Sequence, residues 1–161
     1  MANKDIDPKL KLISEYLNLK DSSNFVIPEY QRAYSWTIYQ CDKLWQDIEN
    51  YLDSDNIDPY FFGTVILDCS NDDGELHLID GQQRTTTFLL LIKAMLIRLQ
   101  EVLKQFKRTD DSEPLEEGLK ENRNRAIEIL YKADVTIRTE ILRDWTKTIG
   151  RTILQNKSIN E

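Results

Sequence analysis

The stretch IDGQQRTTT, residues 79–87, joins two segments of different hydrophobic period and decides the fold of this chain. Residues 75–79 alternate polar and apolar side chains, which is typical of a half-buried strand. From residue 82 to about residue 106 there is no glycine or proline, and a broad apolar face predicts a long helix that is central and largely buried. The stretch therefore predicts a strand, a turn and a buried helix, in that order.

Earlier elements are predicted from local patterns. Helical spacing of apolar residues after Pro8 predicts a short amphipathic helix, and residues 25–27 predict a short strand. Thr37 is predicted as the N-cap of a second helix that runs to about residue 52. Residues 60–68 are rich in aromatic and β-branched side chains, and with residues 75–79 they predict a β-hairpin.

The C-terminal part shows two further helical patterns, over about residues 121–131 and 136–154. We therefore expect an α+β domain over residues 1–108, an acidic loop over residues 109–121, and the start of a helical region over residues 122–161. The chain stops without a helix-ending signal, so we expect a fragment of a longer protein.

The composition is that of one globular domain. The chain has 161 residues, of which 40% are hydrophobic and 30% charged. Its net charge of −7 excludes a simple basic nucleic-acid coat as the whole function. Residues 109–121 carry six acidic residues and one lysine, whereas residues 122–157 carry eight basic and four acidic residues. A local basic face is therefore compatible with the negative total.

Cysteine and histidine are scarce. Cys41, Cys69 and His77 cannot form a four-ligand zinc site or a disulfide framework. The N-terminus lacks the apolar stretch of a signal peptide, and Lys93 and Arg98 interrupt the longest apolar run. We expect a cytoplasmic protein with reduced thiols and no membrane segment.

The turn between strand and helix is a candidate anion site. Gly81 allows a ligand to approach the backbone closely, and the free N–H groups and dipole of the helix N-terminus favour an anion. Arg84 can add a bidentate contact to a phosphate. The structural alternative is that Asp80 caps the helix while Gln83 reaches back to it, as in a capping box.

A second candidate segment is IPEYQRAYSW, residues 27–36, which follows the first predicted strand. Aromatic side chains beside Arg32 can stack on a base while the guanidinium holds a phosphate, so a nucleotide or an unstacked nucleic-acid base is a suitable ligand. The alternative is that Tyr30, Tyr34 and Trp36 pack over the sheet and that the charged residues cover them.

Together with YFFGTVIL, residues 60–67, these two segments resemble the N-terminal domain of the GmrSD family of modification-dependent restriction enzymes. The resemblance covers about residues 8–105. It implies a ParB/sulfiredoxin-like α+β fold with a small mixed sheet, in which the DGQQR turn binds nucleotide phosphates and supports NTP hydrolysis. It also implies a role in defence against phage with modified DNA, and a nuclease domain downstream in the same or a partner chain.

The resemblance also implies site residues. Asp80, Gly81, Gln82, Gln83 and Arg84 match the phosphate-binding and hydrolysis motif. Within it, Asp80, Gln82, Gln83 and Arg84 are the expected catalytic residues, and Gly81 and Arg84 are the expected nucleotide contacts. Asp80 is also the candidate for holding Mg²⁺ through water.

Other residues complete the expected sites. The further predicted nucleotide contacts are Thr85, Arg32, Gln31 and Tyr30. The candidates for sensing modified DNA are Tyr30, Gln31, Tyr34 and Trp36. Thr85 departs from the family pattern, in which many members carry leucine after the arginine, and we expect this change to affect packing more than chemistry.

The leading hypothesis is an NTP-binding and NTP-hydrolysing regulatory domain, acting with Mg²⁺, that gates a DNA-cleaving module elsewhere in the full protein. The alternative is a non-catalytic module that senses modified DNA in the same cleft. A ParB-like nuclease is a third alternative, disfavoured because a two-metal site needs several carboxylates and only Glu29 and Asp80 lie near the predicted cleft.

Overall fold

The computed structural model describes residues 6–19, 23–55, 57–70, 74–107 and 112–157. Within these ranges the first elements are α1 (Ile13–Tyr16), β1 (Asn24–Ile27), α2 (Ile38–Leu52), β2 (Ile66–Asp68) and β3 (Glu75–Asp80). They are followed by α3 (Gln82–Gln105), α4 (Glu113–Tyr131), α5 (Val135–Arg143), a 3₁₀-helix (Trp145–Thr148) and β4 (Leu154–Asn156). The predicted α+β class is confirmed.

The four strands of the described residues form one mixed sheet in the order β2-β3-β1-β4. β1 lies inside the sheet and runs parallel to both β3 and β4, with Phe25 opposite Leu76 on one side and Leu154 on the other. β2 runs antiparallel to β3, which confirms the predicted hairpin. Phe25 and Val26 of this inner strand are fully buried, and Phe25 belongs to the hydrophobic core.

One hydrophobic core joins the sheet to the helices. Leu78 of β3, Leu96 of α3, Ile127 of α4 and Ile141 of α5 are each at most 1% exposed and belong to the same cluster. α4 packs along α3, and β4 completes the sheet beside β1. The C-terminal elements are therefore part of the same core rather than a separate helical region.

The predicted acidic loop over residues 109–121 is wrong for most of its length, because α4 begins at Glu113. Pro114 lies in the first turn, where its fixed φ and missing N–H are tolerated. Glu113 and Glu116 also lie in that turn, where negative charge favours the helix dipole. The acidic composition therefore starts a helix, and residues 108–111 lie outside the described ranges.

The predicted helix over residues 136–154 is also wrong beyond its first part. Asp144 leaves helical geometry with φ −144° and ψ 105°, and its carboxylate accepts a hydrogen bond from the backbone N–H of Thr146. A 3₁₀-turn follows, Gly150 takes a φ of 75°, and the chain then extends into β4. Asp144 therefore ends α5 and caps the following 3₁₀-turn. In this way it interrupts the longer helix that the apolar periodicity predicts.

Of three other predictions, that of α2 is confirmed and the other two need adjustment. α2 begins after Thr37 as predicted, and the Thr37 backbone N–H donates to Gln40 Oε1 over 2.8 Å. α3 has the predicted bounds but is not buried all round, since Leu90, Met95 and Ile97 are about half exposed. The predicted N-terminal helix is short, because only Ile13–Tyr16 is helical.

The strand predicted over residues 60–68 is paired only at Ile66–Asp68. Gly63 takes a φ of 101°, which an extended strand does not have. Upstream of it, the Tyr60 and Phe62 rings contact each other with centroids 4.6 Å apart, and Phe62 packs on Phe88 of α3 at 4.8 Å. Aromatic packing on α3 therefore replaces strand pairing here. Among the described helices, none has the length and apolar content needed to cross a membrane.

Tyr16 gives the fold a predicted sensitivity to alkali. Burial raises the pKa of its hydroxyl to about 12, although the hydrogen bond with Thr85 Oγ1, 2.8 Å long, opposes this shift. An unfolded tyrosine ionises near pH 10, so the stability due to the neutral form is present below that pH and is lost as the pH rises towards 12. We expect about 2–3 kcal/mol of unfolding free energy to be lost across this window.

Urea unfolding at several pH values measures this loss. In Tyr16→Phe the fall between pH 10 and 12 should be smaller by a similar amount, because the ring remains but cannot ionise. An equally steep fall in this variant would contradict the assignment to Tyr16.

Candidate functional site

A cavity of about 230 Å³ lies where β3 ends and α3 begins. Its lining residues are Gln31, Arg32, Trp36, Ile79, Asp80, Gly81, Gln82, Gln83 and Arg84. They come from the two segments that the sequence singles out, which are about 50 residues apart. The fold therefore brings both predicted segments to one site.

Gly81 is the N-cap of α3 and has no side chain with which to cap it. Its φ of 85° lies in the left-handed region, and a Cβ at this position would lie 2.9 Å from Val65 Cγ2. The structural alternative, in which Asp80 caps the helix, is therefore wrong, and the capping box through Gln83 is not formed. Asp80 is instead the exposed last residue of β3. The positive end of the α3 dipole thus reaches the cavity without a side-chain cap.

Gln83 holds the second segment against α3. Its Oε1 accepts a hydrogen bond from the Ser35 backbone N–H over 2.7 Å, and its Nε2 donates to the Ala33 carbonyl over 3.2 Å. Gln83 is 8% exposed, so these two bonds satisfy the amide in a buried setting. The structure places Gln83 at the cavity wall with both polar atoms engaged by the backbone of residues 33–35.

Gln82 has a different environment. Its Nε2 donates to the Arg32 carbonyl over 3.0 Å, but its Oε1 is buried and finds no hydrogen-bond partner among the described residues. The side chain is only 7% exposed. A buried carbonyl oxygen without a donor costs about 1–3 kcal/mol, so a donor that reached this oxygen of a cavity-lining residue would remove that cost.

Two guanidinium groups and one carboxylate line the cavity. Arg84 Nη1 donates to the Thr64 carbonyl over 3.0 Å, and the guanidinium packs so closely on Gly63 that a Cβ there would lie 2.7 Å from Nη1. In the part of the chain that the structure describes, neither Arg84, Arg32 nor Asp80 forms an ion pair. The cavity lining therefore carries an excess of positive charge.

Gly63 and Thr64 are site residues that the sequence analysis missed. They hold the Arg84 guanidinium at the rim of the cavity through a close backbone approach. The sequence does contain a signal for them, since Gly63 interrupts a run of aromatic and β-branched residues. Such a glycine often marks the close approach of another group.

Thr85 and Thr87, which follow Arg84 on α3, are buried. Thr85 is 1% exposed and shares its hydrogen bond with the Tyr16 hydroxyl, so this predicted nucleotide contact does not line the cavity. The Thr87 hydroxyl donates to the Gln83 carbonyl, and it also lies 2.9 Å from the Tyr34 hydroxyl. These hydroxyls therefore attach neighbouring segments to α3.

The candidate DNA-sensing residues divide into two groups. Trp36 and Gln31 line the cavity, and Gln31 Nε2 donates to the Ile79 carbonyl at the end of β3. Tyr34 is tied to Thr87 instead, and burial, with the nearby Cys41 thiol, raises the pKa of its hydroxyl. Tyr30 is 74% exposed and lies outside the lining.

The donor set does not form a preassembled metal cage. Within the ranges described, no three His, Cys, Asp or Glu side chains group together as metal ligands. Asp80 is the carboxylate of the cavity lining. A Mg²⁺ ion that arrives with phosphates keeps several waters and needs only one or two carboxylates, of which the described lining offers one.

The sequence matches a known protein family. The family model of the GmrSD restriction endonuclease N-terminal domain matches residues 13–160. The matched range includes every residue that lines the cavity. A comparison with curated proteins gives no match.

Proposed function

We propose that the cavity of this chain, which belongs to the GmrSD restriction endonuclease N-terminal domain family, binds and hydrolyses NTP. Membership of this family makes the chain a domain of a restriction and phage-defence protein. In this proposal the domain regulates a nuclease module that acts on modified DNA. Family membership implies DNA and a nuclease domain as partners of the full protein. The NTP is the partner for which the cavity is proposed.

The observation that carries the proposal is the uncapped N-terminus of α3 beside two guanidinium groups that form no ion pair within the described ranges. Backbone N–H groups at a helix N-terminus and arginine forks are the groups that proteins use for phosphates. The cavity of about 230 Å³ is smaller than the roughly 300–1,000 Å³ typical of whole-ligand pockets. We therefore assign the cavity to the phosphates, with the sugar and base extending outward past Trp36.

Hydrolysis in this site would rest on positioning and charge. Arg32 and Arg84 would neutralise the charge that develops on the phosphates. Gln82 would accept a hydrogen bond from the attacking water through its unpartnered Oε1, whereas Gln83 would position the loop rather than the water. Mg²⁺ would neutralise phosphate oxygens, with Asp80 as its water-mediated protein partner.

Arg84→Ala tests the proposal, with Arg98→Ala as the matched control on the same helix. The Arg98 side chain is 75% exposed and pairs only with Glu101 among the described residues. We expect the wild-type chain to bind at least one of ATP, GTP, CTP and UTP with Mg²⁺ in calorimetry. A charge-assisted hydrogen bond is worth about 1.5–3 kcal/mol, so Arg84→Ala should weaken that binding about 10- to 100-fold.

A second variant is needed because Arg84 also donates a hydrogen bond to the Thr64 carbonyl, so that Arg84→Ala can weaken binding through a loss of stability. The Arg32 side chain makes no hydrogen bond within the described ranges, so Arg32→Ala should weaken binding without loss of stability. Phosphate release then measures turnover. Equal affinities for the Arg84, Arg32 and Arg98 variants, or no NTP binding by the folded chain, would reject the proposal and favour the DNA-sensing alternative.

A further inference from the structure

A second cavity lies at the other end of α3. It measures about 450 Å³ and is lined by Gln100, Leu103, Lys104, Arg123, Leu142 and Trp145. These residues belong to the last turns of α3, the middle of α4, the end of α5 and the 3₁₀-helix. Gln82 and Gln100 are 18 residues apart on α3, which corresponds to about 27 Å along the helix. The second cavity is therefore distinct from the candidate NTP site.

The polar lining of this cavity is cationic. In the described part of the chain, Arg123 and Lys104 form no ion pair, and the Arg123 guanidinium donates only to the neighbouring Asn124 Oδ1. Burial and the adjacent positive charge of Arg138 lower the pKa of the Arg123 guanidinium. Among the described residues, no acidic side chain belongs to the lining. Arg138 itself pairs with Glu128 outside the lining, whereas Arg123 and Lys104 give the lining a net positive charge that favours an anionic ligand.

The remaining lining suits a flat ring. Trp145 is 37% exposed, and the Lys93 ammonium lies 5.9 Å from its ring centroid. Leu103 and Leu142 add apolar surface, and Gln100 offers hydrogen-bond donors and an acceptor. The cavity thus combines a partly exposed indole with the cations Arg123 and Lys104. In such a combination the indole can stack on a base while the cations hold the adjacent phosphate.

We propose that this second cavity binds a nucleotide unit of a single-stranded nucleic acid. The base stacks on Trp145, Gln100 hydrogen-bonds the base edge, and Arg123 and Lys104 hold the phosphate. The volume of about 450 Å³ lies within the range of pockets that enclose a ligand of this size. An acidic peptide would use the cations but not the indole, so substitutions of Trp145 separate the two ligands.

Fluorescence anisotropy with a fluorescein-labelled ten-residue oligothymidylate at low salt tests the proposal on the full chain. Arg123→Gln should weaken binding about tenfold and make the salt dependence shallower by about one phosphate contact. Trp145→Leu should weaken binding about 5- to 100-fold, and Trp145→Phe should restore most of it because a ring is retained. Arg125→Gln is the control, since Arg125 lies on the same helix and faces Glu121.

Several results would overturn the proposal. These are the absence of oligothymidylate binding, equal binding by the Arg123, Trp145 and Arg125 variants, or competition by free thymidine monophosphate as strong as by the oligomer. The last result would assign the cavity to a free nucleotide. NTP binding at the first cavity should be unchanged in Arg123→Gln, so failure of one proposal is distinguishable from failure of the other.

Discussion

Replacing Gly81 with alanine is expected to lower the free energy of unfolding by about 2–5 kcal/mol. The left-handed φ of 85° costs a residue with a Cβ about 1–2 kcal/mol. The new Cβ would also lie 2.9 Å from Val65 Cγ2, 3.2 Å from Val65 Cα and 3.3 Å from the Thr64 carbonyl oxygen. Overpacking of this kind costs about 1–3 kcal/mol, and two of these three atoms belong to the backbone and cannot rotate away.

Two other glycines serve as controls in the same urea unfolding experiment. Gly150 has a φ of 75°, and a Cβ added there would have no neighbour within 4 Å among the described residues, so Gly150→Ala isolates the conformational cost. Gly118 lies in α4 with equally open surroundings, and Gly118→Ala should stabilise the chain by about 0.4–1 kcal/mol. If Gly81→Ala destabilised no more than Gly150→Ala, the close contact with Thr64 and Val65 would be refuted.

The same substitution should also disturb the cavity. Gly81 begins α3, and the Thr64 carbonyl that its Cβ would approach is the acceptor for Arg84. Moving the helix start away from residues 64–65 therefore changes the direction of the first N–H groups and the position of the guanidinium together. We expect NTP affinity to fall further in Gly81→Ala than in Gly150→Ala at equal folded fraction.

Local patterns were sufficient to predict α2, α3, β1 and the hairpin of β2 and β3. Each of these elements has a periodicity or an end signal within its own residues, such as Thr37 before α2 or the polar turn before α3. β4 was missed because its three residues are a strand only through pairing with β1, more than 120 residues earlier in the chain. The sequence also does not show which faces of α3 stay partly exposed, because an apolar pattern does not identify the element that packs against it.

The sequence indicates which two segments meet at the cavity, but not which of their side chains line it or what each side chain does there. The density of polar groups after β3 indicated a site, and the segment of residues 31–36 does reach it. Which side chains face the cavity depends on partners far along the chain. Thr85 is turned to Tyr16, Arg84 to Thr64, and Gln83 to the backbone of residues 33–35. None of these contacts leaves a periodic signal in the sequence.

Gln83→Leu is expected to destabilise the chain by about 1–3 kcal/mol and to abolish NTP binding. Leucine fills a similar volume but leaves the Ser35 N–H and the Ala33 carbonyl without their partner on α3. Each lost hydrogen bond costs about 0.5–1.5 kcal/mol, because Ala33 and Ser35 are exposed and water can partly replace the lost partner. Because residues 33–35 are then no longer attached to α3, Arg32 and Trp36 lose their positions at the cavity.

Gln82→Leu is the matched comparison, because the two glutamines are adjacent and are 7% and 8% exposed. This substitution loses the bond to the Arg32 carbonyl, but it also removes the unpartnered Oε1. The two effects oppose each other, so we expect a change within about 1 kcal/mol in urea unfolding. If Oε1 orients the attacking water, Gln82→Leu should retain NTP binding and lose phosphate release. Equal stability of the two leucine variants would contradict the division of roles between an anchoring Gln83 and a water-orienting Gln82.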